Sequence, residues 1–112
     1  MNALPNLDVI CQRVANSYRH IYGDALQAVF LYGSYARGDF DEESDIDFAA
    51  IVAGERLELQ NKRHQLRKET NDLSLEYDVV TSPTVIPLAD FEKYKDISAY
   101  YRNIQREGKR IG

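Results

Sequence analysis

Residues 29–48 read VFLYGSYARGDFDEESDIDF, and the order of residue types within them decides the fold. Val29 to Leu31 is an apolar run of the kind buried in a sheet. Gly33-Ser34 then turns the chain, an acidic loop follows, and a second apolar run opens on two aspartates one residue apart. Side-chain direction in a strand repeats every second residue. Asp45 and Asp47 therefore project from one face of DIDFAAIV, while Ile46 and Phe48 point the other way into a core. Two carboxylates side by side repel one another unless a cation sits between them. Hard oxygen ligands at a strand start suit Mg²⁺ or Mn²⁺, whose shells are completed by water and substrate phosphates.

Gly33 and Ser34 supply the other half of a phosphate-handling site. A glycine directly after an apolar strand lets the backbone turn sharply and approach a ligand, and the amides and hydroxyl that follow can donate to phosphate oxygens. If residues 35–38 begin a short helix, its N-terminus adds positive dipole there, and Arg37 is a local cation for a polyphosphate. Two other readings fail on spacing. Gly33 and Gly38 satisfy the glycine half of a P-loop, but Asp39 and Phe40 stand where Lys and Ser/Thr are needed. An EF-hand loop starting at Asp39 would place Ser44 where glycine belongs and Ala50 where the bidentate glutamate belongs.

Working outward, Pro5 and Asn6 read as a helix start with Asn6 as cap. Leu7, Ile10, Cys11, Val14, Tyr18 and Ile21 then recur at helical spacing as far as Gly23. Cys11 falls on that apolar face as core filling, and His20, with no second His or Cys at ligand spacing, reads as structural. Residues 26–32 form a first strand and 46–52 a second, joined by the motif loop. From Glu55 to Asn71 the chain is rich in helix formers and charge, with Leu57, Leu59 and Leu66 to bury. His64 among Lys62, Arg63, Arg67 and Lys68 makes a solvated basic face, or one that contacts a partner or nucleotide. Leu75 to Thr81 reads as a third strand ended by Ser82 and Pro83. Asp90 can cap a final helical region carrying Phe91, Tyr94, Ile97, Tyr101 and Ile104, which Gly108 ends. Tyr94, Tyr100 and Tyr101 exceed what one helix face buries, and surplus tyrosine is what a partner interface uses.

The 112 residues fit one domain, 1–112, too small to hold a separate substrate domain. The element order predicts an α/β (α+β) fold, a small mixed sheet covered by helices. A net charge of −4 gives no broad electrostatic footprint for nucleic acid. One cysteine, no stretch like a signal peptide and no apolar run of membrane-spanning length lead to the expectation of a cytoplasmic protein.

Gly33-Ser34, ten residues, then Asp45-x-Asp47 resembles the G-S-x10-D-x-D signature of the DNA polymerase β nucleotidyltransferase superfamily. The short length, the GSYARG wording and the REGKRI tail are similar to the minimal nucleotidyltransferases, the MNT antitoxin group that works beside HEPN-domain toxins. The likeness covers nearly the whole chain. It implies a nucleotidyltransferase fold and a third carboxylate on a neighbouring strand. Asp78, followed by two valines, matches best, with Glu76 as runner-up on the same face. It implies two Mg²⁺ ions held by Asp45, Asp47 and Asp78, with Gly33 and Ser34 seating the β and γ phosphates of ATP and Arg37 assisting. Asp78 would take the acceptor's hydroxyl proton. It implies AMP transfer, with pyrophosphate release, to a tyrosine of a HEPN toxin held in complex. The rival expectations are an antitoxin that neutralises its partner by contact alone, and transfer to a small molecule or an RNA end. The missing second domain and the negative charge weigh against the last two.

Overall fold

A computed structural model describes residues 4–112, arranged as one mixed sheet with helices on both faces. Helix α1, Leu7–Tyr22, ends at Gly23 as its periodicity requires. A single 3₁₀ turn, Gly23–Ala25, leads into strand β1, Leu26–Tyr32. A four-residue helix α2, Ser34–Arg37, and the acidic loop connect to strand β2, Ile46–Val52. Helices α3, Arg56–Asn61, and α4, Arg63–Tyr77, cross to strand β3, Thr81–Pro87. Helices α5, Leu88–Tyr94, and α6, Ala99–Glu107, lead to a two-residue strand β4, Lys109–Arg110. The strand order is β3-β2-β1-β4. β2 runs antiparallel to β1 and parallel to β3, and β4 pairs antiparallel with β1.

β2 explains the layering. Its even positions, Ile46, Phe48, Ala50 and Val52, are fully buried in a cluster with Ile10, Val14 and Tyr18 of α1 and Leu66 and Leu73 of α4. Its odd positions Ala49 and Ile51 meet Ile86, Phe91 and Ile104 on the opposite face, under α5 and α6. A strand covered on both faces reads as a continuous apolar run, as IDFAAIV does. The one polar residue in that run, Asp47, is the outermost odd position, where the α5–α6 cover stops.

Three sequence expectations are corrected. The helical stretch 55–71 is broken at Lys62, and Leu57, expected inside, is 69% exposed. The final helical region is two helices, and Asp90 lies in the first turn of α5 behind Pro87 as cap, ion-paired to Arg56. The predicted strand 75–81 is the end of a helix: Leu66, Thr70, Leu73 and Tyr77 keep helical spacing against α1, and Leu75 is 83% exposed on the outer side. The helix stops at Asp78, which takes the left-handed conformation (φ 53) usual after a helix end. The valine pair that suggested a strand falls in the linker. The strand itself starts at Thr81 and runs through Pro83.

Proline is tolerated there because β3 is an edge. Ile46 N–H donates to Val80 C=O (2.9 Å), and Ile46 is paired with Thr81. In a parallel ladder this register turns the nitrogens of Pro83 and Pro87 away from β2, so no sheet hydrogen bond is lost. Hydroxyls tie the strand down. Ser74 Oγ and Thr81 Oγ1 are 2.7 Å apart, and Tyr18 OH donates to Thr84 C=O (2.9 Å).

Candidate functional site

The motif residues converge at the end of the sheet where β1 leaves and β2 enters. Tyr32, the last residue of β1, is directly paired with Asp47. Gly33 follows with φ 74 and ψ −153, a backbone combination that only glycine adopts without strain. A Cβ built on Gly33 would collide with the Asp47 carboxylate at Oδ2. The glycine does two jobs at once, turning the chain into α2 and leaving room for the carboxylate on the next strand.

Helix α2 is a single turn. The N–H groups of Ala36 and Arg37 donate to Gly33 C=O (both 3.1 Å), and Gly38, in the left-handed conformation (φ 87), closes it. The N–H groups of Ser34 and Tyr35 open the turn and have no acceptor within it by geometry. The loop beyond is held by its own side chains. Tyr35 and Phe40 stack (4.1 Å, 10°), Asp41 Oδ1 accepts from Glu43 N–H (2.9 Å), and Asp41 N–H donates to Ser44 Oγ (3.0 Å). Asp41 thus closes a turn through its own side chain.

Asp45 is exposed and Asp47 half-buried. Burial first, and then the Asp45 charge, push the Asp47 carboxyl above its ordinary value; Arg37 acts in the opposite sense. Arg37 is itself engaged with Asp39 (3.2 Å) and with Glu107 at the end of α6 (3.4 Å). The two-aspartate pair is therefore short of positive charge, and its donor set of hard oxygens fits a divalent cation.

The expected third carboxylate does not join the pair. Asp78 lies exposed at the C-terminus of α4, lining an acidic cavity of about 510 Å³ together with Asp41, Glu42 and Glu43. Glu76 points along α4 to Arg13 of α1, 2.5 Å away. Among the described residues no three His, Cys, Asp or Glu side chains form a metal-binding group. The strand shift accounts for this: the β3 residue beside Asp47 is Ser82. His64, Arg67 and Lys68 lie apart on the outer face of α4.

What reading along the chain did not find is a tyrosine pair beside Asp47. Tyr32 OH and Tyr100 OH are 3.1 Å apart, with the rings edge to face (5.7 Å, 74°). Tyr100 belongs to the tyrosine surplus recognised in the sequence, but 68 residues separate it from Tyr32 and no local pattern joins them.

The nucleotidyltransferase domain family matches residues 11–110. A Methanocaldococcus jannaschii protein named "Putative protein adenylyltransferase MJ0141" is 40% identical over 65 residues, covering 58% of this chain and 64% of its own length. A second from the same organism, "Putative protein adenylyltransferase MJ0604", is 30% identical over 93% of this chain and 96% of its own length. The chain thus spans a little under two thirds of the first relative and nearly all of the second. Among solved structures, the toxin-antitoxin MntA-HpeT mutant superposes with a TM-score of 0.60 at 18% identity, over 91% of this chain and 72% of that chain. A toxin-antitoxin with AMP-PNP gives the same TM-score at 20% identity, with the same coverage. Identities this low establish a shared fold.

Proposed function

The chain belongs to the nucleotidyltransferase domain family, and from that premise we propose that it transfers AMP from ATP to a tyrosine hydroxyl of a HEPN-family toxin, as the antitoxin of the pair. The observation that carries the reading is the fit of Gly33 against Asp47: a glycine-only turn sets the opening of α2 directly beside a carboxylate pair whose cation, Arg37, is shared with Asp39 and Glu107. The names of the two relatives support adenylyl transfer. The toxin-antitoxin neighbours, one of them with AMP-PNP, support the nucleotide and the kind of partner.

In this scheme Ser34, through its hydroxyl and N–H, holds the terminal phosphates of ATP, approaching over the bare Cα of Gly33. Arg37 releases Asp39 and Glu107 and turns its guanidinium to the triphosphate. Asp45 and Asp47 would hold Mg²⁺, which when bound would supply positive charge to the triphosphate. Two carboxylates suffice, because Mg²⁺ takes one or two of them and fills its shell with water and substrate phosphates. We leave Asp78 out of that shell.

Intact-mass spectrometry of a HEPN-family toxin incubated with this chain, Mg²⁺ and each nucleoside triphosphate in turn tests the proposal. A gain of one or more adenylyl groups with ATP, lost in Asp45→Asn, is the expected result. A stable complex with no mass gain from any nucleotide would leave an antitoxin that acts by contact.

A further inference from the structure

The proposed reaction consumes a phenol hydroxyl, and one of this chain's own stands beside the site. Tyr32 and Asp47 are paired on adjacent antiparallel strands, so their side chains leave the same face of the sheet a few ångströms apart. Tyr32 OH holds Tyr100 OH at 3.1 Å. Tyr100 is carried on a firmly placed helix. Ser98 caps the start of α6, accepting from Tyr101 N–H (3.2 Å), Ile104 is fully buried under the sheet, and Glu107 reaches back to Arg37 of the motif turn. Tyr100 is nevertheless 39% exposed, so a reactant can reach it without unfolding of the helix.

We propose that Tyr100 is a self-adenylylation site: in the absence of another acceptor, the chain transfers AMP from ATP to its own Tyr100 hydroxyl. The inference rests on the adenylyl-transfer reading above. The phenol oxygen forms a bond to the α-phosphorus, the bond from that phosphorus to the oxygen bridging to the β-phosphorus breaks, pyrophosphate leaves, and the phenolic proton passes to solvent water. Tyr32 acts as a positioning residue, fixing the direction of the Tyr100 hydroxyl through the bond between them. Because Tyr100 and the carboxylate pair share one sheet face, the reaction runs within a single molecule. The modified tyrosine would add an anionic phosphodiester and a nucleoside beside Asp47, filling the space through which an external tyrosine must approach. Self-modification is then a brake on the site that a bound partner relieves by covering Tyr100.

The test incubates the purified full chain alone with ATP and Mg²⁺ and follows its intact mass, then maps the adduct by peptide fragmentation. Expected is a gain of one adenylyl group on Tyr100, with a fractional rate unchanged over a hundredfold dilution. It should be absent in Tyr100→Phe, which keeps the ring, and absent in Asp47→Asn. Tyr32→Phe should slow it several-fold without moving the adduct. Binding of AMP-PNP with Mg²⁺, measured by calorimetry on the same protein, separates two failures. A chain that binds the analogue yet gains no mass overturns self-adenylylation and leaves the site reading standing. A chain that neither binds nor gains mass overturns both. An adduct on another residue, or a fractional rate proportional to protein concentration, also refutes the assignment.

Discussion

Gly33→Ala isolates the geometric core of the site. The backbone at residue 33 has φ 74 and ψ −153, a region in which a residue with a Cβ is strained by about 1–3 kcal/mol. At about 4 °C per kcal/mol for a domain of this size, Tm should fall by roughly 4–12 °C. The second effect is local: the new methyl collides with Asp47 Oδ2, so either the carboxylate swings away or β1 and β2 separate at that end. A displacement of about 1 Å at a reacting centre costs on the order of 10²-fold in rate. Gly38→Ala is the internal control. It also has a positive φ (87), which costs about 1–2 kcal/mol, but nothing lies within 4 Å of its Cβ. Differential scanning fluorimetry and the initial rate of adenylyl transfer, taken below both melting temperatures, should give two variants of similar Tm and very different rates. Equal rates in the two variants, or transfer by Gly33→Ala within a few-fold of wild type, would refute the claim that this glycine exists to seat Asp47.

Asp47→Asn should abolish transfer and, with Mg²⁺ removed, raise Tm at pH 7. Burial and the Asp45 charge lift the Asp47 carboxyl in the folded protein, so its ionised form costs stability above the folded value. That cost fades as pH falls through the folded value towards the usual carboxylate range near ~4. The advantage of Asn over Asp should therefore shrink on acidification, and a gap that widens would contradict the sign. Adding millimolar Mg²⁺ should raise the Tm of wild type and leave Asp47→Asn unmoved, as expected for a ligand that binds only the folded site. Arg37→Gln removes two exposed ion pairs, worth under about 1 kcal/mol in total. Its Tm should hardly move while KM for ATP rises on the order of tenfold, and a large Tm loss with KM unchanged would make Arg37 a structural latch. Asp78→Asn keeps a side chain that tolerates the left-handed backbone of residue 78 and removes the charge. Transfer should stay within a few-fold of wild type; its loss would return Asp78 to the ligand set.

The parts legible in the sequence are those whose signal is local. The α1 face, the β1 and β2 strands and the G-S-x10-D-x-D spacing are each set within about twenty residues, and the helix and both strands lie where that local signal puts them. The shift of β3 was not legible, because EYDVV offers tyrosine and two valines to a strand while Leu66, Leu73 and Tyr77 offer helical spacing against α1. Burial of Leu66 and Leu73 decides between them, and that burial depends on where α1 lies. Pro83 reinforced the error: a proline counts against a strand only when its nitrogen faces a neighbour, and which side it faces is fixed by the pairing of Ile46 with Thr81. Tyr32 and Tyr100 meet only because α6 packs Ile104 under β1 and β2.

The position of Asp47 in its strand ties the site to the core. The odd side of β2 runs Asp47, Ala49, Ile51, and α5 with α6 covers the last two completely. Were that cover one strand step longer, Asp47 would be buried without a partner and would hold its proton, losing the charge a cation needs. Were it one step shorter, water would screen both aspartates and the repulsion that favours a cation would weaken. The half-buried state of Asp47 is thus a consequence of where α6 ends its packing. The same helix sets Tyr100 against Tyr32 and Glu107 against Arg37. Cover, tyrosine pair and guanidinium latch are three contacts of one element, so movement of α6 by a docked partner would change all three together.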